Sequence, residues 1–175
     1  MSVFHMRAAA AAEAEAIAAL HAESWRRTYR GMMPDAFLDG PALEDRRRVW
    51  HTRLGTAGAD QLVIVAEDGA RIIGFICVFA RGDDGWGAYI DNLHVAHDRK
   101  QRGLGRALMR QAAEWICATQ PGGGVYLWVM EANANARGFY DRRGAHNMET
   151  VEQSDPGGGS APNLRYVWPD ARTLL

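Results

Sequence analysis

The segment Arg99-Lys100-Gln101-Arg102-Gly103-Leu104-Gly105-Arg106-Ala107-Leu108-Met109 sets two glycines one residue apart among four cations, just before a run with helical apolar spacing. The chemistry such a turn offers is anion binding. Free N–H groups at a helix start point outward and the helix dipole favours negative charge. Glycine lets a phosphate approach the backbone without meeting a Cβ. A phosphate or pyrophosphate is therefore the ligand expected at Gly103 and Gly105. A helix start whose glycines only ease a turn has the same local sequence, so a second constellation must assign it.

Two common phosphate binders fit poorly. A nucleotide-hydrolysing P-loop needs Lys and then Ser or Thr after its last glycine, and here Arg106 and Ala107 follow Gly105. A dinucleotide fingerprint needs a third small residue where this chain has Leu108.

The elements that must position the turn follow from periodicity. Ile17, Leu20 and Trp25, with His21 and Ser24 on the same stripe, predict an amphipathic helix over about Ala9 to Arg27. A second, more polar helix is expected over Ala42 to Leu54, carrying Arg46, Trp50 and Arg53. Leu62 to Ala66 and Arg71 to Ala80 read as a β-hairpin turning at Asp68-Gly69, its second strand apolar on both alternations and so covered on both faces. After a loop over Gly82 to Gly87, Ala88 to Val95 is a strand leading into the glycine turn. The helix beyond buries Leu104, Leu108, Ala112, Trp115 and Ile116. Then come a strand at Val125 to Met130, a short helix from Asn133 to Arg143 closed by Gly144, and strands at His146 to Val151 and Leu164 to Trp168. Between the last two, Ser154 to Pro162 reads as a mobile loop.

Composition narrows the function classes. With 175 residues, one domain over residues 1–175 is expected. A formal net charge of -1 gives no general basic field, so neither nucleic acid nor a membrane surface is an expected partner. Cys77 and Cys117 supply neither a disulfide framework nor metal-ligand spacing, and no metal is expected. The alanine-rich opening is interrupted by Glu13 and Glu15, unlike a signal peptide, and no stretch approaches the roughly 20 apolar residues of a membrane span. A cytoplasmic location is expected.

The second constellation is LWVMEANANARGFYDRRGAH. Taken with NLHVAHDRKQRGLGRALM, it resembles the GNAT family of acyl-CoA-dependent N-acetyltransferases, over most of the chain from IAALHAESWRRTYRGMMP to LRYVW. The first block is similar to the family's acetyl-CoA motif, with Lys100 where Gln or Arg is usual. The second matches its Asn, two residues, Ala, two residues, Phe-Tyr pattern as Asn133, Ala136, Phe139 and Tyr140, with Gly144-Ala145 replacing the usual Gly-Phe. The resemblance implies an α/β (α+β) fold: a central mixed, mostly antiparallel sheet, helices on both faces, and a splay between the fourth and fifth strands.

It also implies roles. Acetyl-CoA would be the cofactor, with Lys100, Gln101, Arg102, Gly103, Leu104, Gly105, Arg106 and Ala107 around the pyrophosphate, chiefly through backbone amides. Leu93, His94 and Val95 would line the pantetheine arm and acetyl group, with Asn133 and Ala136 opposite. Tyr140 stands where the family keeps the acid that protonates the leaving thiolate, and a phenol near pKa 10 suits that task. Its alternative is a core tyrosine beside Phe139. Asp91 is the candidate base, against a solvated or turn-bonded aspartate, with Glu131, His94 and His21 as further candidates. Neither cysteine has the setting of an activated thiolate, so direct transfer in a ternary complex is expected.

His21, Trp25 and Tyr29, with Trp86 and Glu131, would wall the acceptor pocket. An aromatic wall suits a cationic amine. The expected acceptor is a small-molecule amine or a peptide amino group, and a homodimer is allowed. The rival reading is a non-catalytic acyl-CoA-binding sensor of the same fold, and a phosphoryl-transfer enzyme stands third.

Overall fold

The computed structural model describes residues 4–56, 58–82 and 85–175. Its strands are β1 (His5–Ala8), β2 (Gln61–Asp68), β3 (Arg71–Phe79), β4 (Ala88–Val95), β5 (Val125–Met130), β6 (His146–Ser154) and β7 (Ser160–Trp168). They form one sheet in the order β1-β2-β3-β4-β5-β7-β6. Every neighbouring pair is antiparallel except β4 and β5, which a helical crossover separates in the chain.

That parallel pair holds only at its start. β4 and β5 pair at Ala88–Val125 and Tyr89–Tyr126 and no further. Yet β4 continues on β3 as far as Val95, and β5 continues on β7 as far as Met130. The two strands therefore part, and the expected splay is present as a wedge between residues 91–95 and 127–130. The Ala96 N–H donates to the Ile73 carbonyl at 2.8 Å. Strand alternation then turns the N–H and C=O of Leu93 and Val95 away from β3 and into the wedge.

Helices cover both faces. α4 (Leu104–Thr119) and α5 (Ala134–Asp141) lie on one side, where Leu104, Leu108, Ala112 and Ile116 pack with Ile76, Val125, Leu127 and Tyr140. On the other side α1 (Ala14–Thr28) and α3 (Ala42–Gly55) enclose Ile17, Trp50, Val65, Phe75 and Cys77. A third cluster joins Trp25 to Met33, Phe37 and Leu38 around α2 (Asp35–Asp39), with Met130 of β5 against it.

Three expectations need correction. The alanine-rich opening is not all helix: β1 precedes a 3-10 turn (Ala11–Glu13), and α1 starts only at Ala14. Glu13 is the reason, because its carboxylate accepts from the Ala10 N–H at 2.6 Å and from Arg7 at 2.7 and 2.9 Å, tying the entry to the strand. α2 was not foreseen, being a single turn at Asp35–Asp39 between Pro34 and Gly40. The Ser154 to Pro162 segment is not a free loop, since β6 and β7 extend to Ser154 and Ser160. Asp155 closes the turn by accepting from Gly157 N–H at 2.7 Å and Gly159 N–H at 3.2 Å. The loop expected over Gly82 to Gly87 includes residues 83 and 84, which lie outside the described residues, as do residues 1–3 of the opening segment.

Candidate active site

The glycine turn has the backbone an anion site requires. Gln101 and Gly103 both adopt positive φ, 63° and 80°, so the chain coils twice before α4 begins. Gly103 is the residue that caps α4, and a Cβ built on it would meet nothing within 4 Å. The amide N–H groups of Leu104, Gly105 and Arg106 have no backbone acceptor among the described residues. That of Ala107 is already used by the Gly103 carbonyl at 3.0 Å, so Ala107 offers no free amide. Lys100, Gln101, Arg102 and Arg106 are exposed around this coil.

Gly105 is a glycine for a different reason from Gly103. A Cβ there would stand 3.2 Å from Phe139 Cζ, so the missing side chain lets α5 close against α4. Arg143 holds the other partner position on that ring, its guanidinium 3.5 Å from the centroid.

This contact sets α5 beside the wedge. Asn133 caps the helix, its Oδ1 accepting from Ala136 N–H at 3.2 Å, and the Tyr29 hydroxyl at the end of α1 lies near it, burial raising the Tyr29 pKa while Asn133 offsets part of that rise. Tyr140 is buried with its ring edge-on to Phe139 and Trp168. Its hydroxyl has no hydrogen bond to any described protein group. Burial and the neighbouring Tyr29 raise the Tyr140 pKa, which keeps the phenol protonated at neutral pH. Tyr29, Asn133 and Tyr140 thus come together, although they stand far apart in sequence.

On the opposite side of β4 lies a cluster of rings and guanidinium groups. His21 is fully buried, its Nδ1 accepting from Trp50 Nε1–H at 3.0 Å, and its ring lies tilted against that of His94 with centroids 4.3 Å apart. His94 Nδ1 is 2.8 Å from Ser24 Oγ. Burial holds both imidazoles neutral, His94 being lowered to about 3 with help from Lys100 and Arg46. Cys77 beneath them is pushed up to about 12 by burial and so stays a thiol.

A β-bulge in β4 opposite Cys77 and Val78 puts Asp91 and Asn92 in succession against α3. Arg53 donates to both, from Nη2 to Asp91 Oδ2 at 2.6 Å and from Nη1 to Asn92 Oδ1 at 2.6 Å. Asp91 is therefore committed to a cation. Glu131 lies exposed at the end of β5, its N–H bonded to the Pro162 carbonyl. Trp25 joins His21 and Tyr29 in one aromatic row. Trp86 belongs to a second group, around Arg165, together with Tyr126 and Trp128.

Arg46 and Arg53 are site residues that sequence reasoning passed over. Their signal was present: Arg46, Trp50 and Arg53 share one face of α3, and that face packs inward.

A family model of the Acetyltransferase (GNAT) family matches residues 16–145. The chain is 26% identical over 172 residues to "Probable N-acetyltransferase Rv2775" of Mycobacterium tuberculosis, covering 94% of this chain and 93% of that protein. It is 24% identical over 163 residues to the uncharacterized N-acetyltransferase YuaI of Bacillus subtilis, covering 90% and 88%. Among solved structures, the PaiA N-acetyltransferase of Thermoplasma acidophilum in complex with coenzyme A superposes with a TM-score of 0.76 at 18% identity, over 94% of this chain and 98% of that one. YncA of Salmonella typhimurium, solved with its cofactor acetyl-CoA, gives 0.67 at 16% identity over 95% and 94%. These structures share the fold, and the family match spans the wedge, the glycine turn and α5 of this chain: the chain belongs to the GNAT family of acetyltransferases.

Proposed function

We propose that the chain transfers an acetyl group from acetyl-CoA to an amine by direct attack in a ternary complex. The observation that carries this reading is the wedge between β4 and β5, with unpaired strand edges beside a coil of free amides. The residues fit the cofactor: the space over Gly103 is open, so a phosphate can reach the backbone there without meeting a Cβ. Amides of residues 104–106 would hold the pyrophosphate, with Lys100 and Arg106 adding charge. The backbones of Leu93 and Val95 would bind the pantetheine arm as an added strand, with Asn133 opposite. When bound, acetyl-CoA supplies an activated thioester.

This chain's own groups then orient the acceptor and move protons. As the amide bond forms and the carbon–sulfur bond breaks, the Tyr140 hydroxyl gives the sulfur its proton. Asp91 is held by Arg53 and both histidines are neutral and engaged, so the amine's proton passes to water or to the exposed Glu131 carboxylate at the end of β5, and solvent returns one to Tyr140.

Calorimetric titration with acetyl-CoA, ATP and NAD tests the reading. Micromolar binding of acetyl-CoA alone is expected, weakened at least tenfold by Gly103→Val. Binding of another nucleotide, or unchanged affinity in the variant, overturns the pyrophosphate assignment. Acetyl-CoA binding without transfer to any amine would favour the sensor reading.

A further inference from the structure

Arg46 is a buried charge that the chemistry above does not use, 8% exposed on the inward face of α3. Asp45 engages it along one edge, through Nε and Nη2, and Nη1 has no protein partner among the described residues. The guanidinium lies 4.2 Å from the Trp25 ring centroid. Trp25 stands edge-on to His21 at 4.8 Å, and His21 lies tilted against His94 at 4.3 Å. His94 sits in β4 between Leu93 and Val95, whose backbones face the wedge. Arg46 is thus one row of rings away from the place assigned to the acetyl group, and its charge is felt at both imidazoles.

A second donor in the same row also lacks a protein partner. Trp50 Nε1–H can only donate, so His21 Nδ1 must accept, and the single proton of the neutral ring is on Nε2. That Nε2 is buried and bonded to nothing in the protein. Two partnerless donors on the acceptor side, one of them cationic, are the complement of oxygen acceptors carrying negative charge. A polycationic acceptor would instead meet Arg46 and Arg53 as like charges.

We propose that the acceptor is an α-amino acid, its carboxylate received by Arg46 over Trp25 while its amine reaches the wedge beside His94. The proposal rests on the acetyltransferase reading above. Trp25, Tyr29, Phe37 and Met130 supply an apolar wall for its side chain. The product is the N-acetyl amino acid, with the same bonds made and broken as before.

The test is titration of the protein, loaded with CoA, with L-amino acids and with their α-amides, in wild type, Arg46→Met and Arg46→Lys. The amides keep the side chain and the amine's position and lack the carboxylate charge, and the Arg46 variants, compared on the same pair of ligands, cancel the lower basicity of the amide's amine. Wild type should bind the preferred acid at least tenfold tighter than its amide. Arg46→Met should erase that ratio and Arg46→Lys should keep part of it, with transfer assays showing the same order in KM. Equal binding of acid and amide, or a ratio that neither variant changes, overturns the proposal. Should Arg46→Met fail to fold, Arg46→Lys decides alone, because a bidentate fork reduced to a point charge must lower the ratio. Parallel acetyl-CoA titration separates the failures: without cofactor binding the function reading falls, and with it only the acceptor assignment does.

Discussion

Arg53 and Asp91 meet at 2.6 Å where the bulge of β4 turns toward α3, and both side chains are about one-fifth exposed. The pair braces the strand whose far end lines the wedge. Arg53→Met leaves Asp91 and Asn92 without their shared donor and should cost about 2 kcal/mol, below the range for fully buried pairs because solvent still reaches this one. Urea unfolding measures it. Asp91→Asn should keep transfer within about tenfold of wild type, since a carboxylate held by arginine is a brace rather than a base. A loss of a thousandfold or more would return Asp91 to the proton transfer.

Gly105 and Phe139 make the second contact with a consequence for the site. Gly105→Val drives a branched side chain into a ring already covered by Arg143, so α5 must move. The expected cost is about 1–3 kcal/mol. Because α5 carries Asn133 and Tyr140, turnover should fall as well as thermal stability. Gly103→Ala should behave differently, costing about 1 kcal/mol through its positive φ alone, with α5 undisturbed.

The sequence read well where one short segment carries both periodicity and chemistry. Gly103, Asn133 and Tyr140 fall in two such segments, and their elements match the expected ones. What it hid were relationships that only tertiary packing creates. No local signal says that Tyr29 at the end of α1 will come beside Asn133, the cap of α5, or that Gly105 is empty for the sake of Phe139. The commitment of Asp91 to Arg53 depends on a one-residue bulge, and a bulge leaves no mark on an alternation as uneven as AYIDNLHV. β1 was lost because Met6 and Arg7 are too few residues to show a period of two beside a long run of alanines.

Tyr140→Phe removes one oxygen and leaves the ring packed on Phe139, Tyr166 and Trp168. The variant should fold with stability close to wild type and bind acetyl-CoA equally well. Its kcat should fall by about 10²-fold or more, the usual contribution of a positioned general acid. Steady-state kinetics beside calorimetry separates the two quantities. Equal turnover would make Tyr140 a core residue.

The adjoining His21 and His94 rings give stability a defined acid dependence. Both are held neutral in the folded chain, His94 lowered to about 3 and His21 well below its ordinary value, whereas in the unfolded chain each titrates near 6.5. A depressed folded pKa means that the unfolded state takes up protons first. Stability is therefore fully present above about pH 6.5 and declines as pH falls from there toward 3. With both rings contributing, the slope approaches about 2.7 kcal/mol per pH unit once the unfolded histidines are protonated, twice the single-group value. Urea midpoints between pH 7.5 and 5 measure it, above the range where the carboxylates titrate. His94→Gln should remove about half the slope, since glutamine can still meet Ser24 and carries no titration in this range. An unchanged slope in that variant would mean that His94 is already protonated in the folded protein, and its place in the row of rings facing the wedge would have to be redrawn.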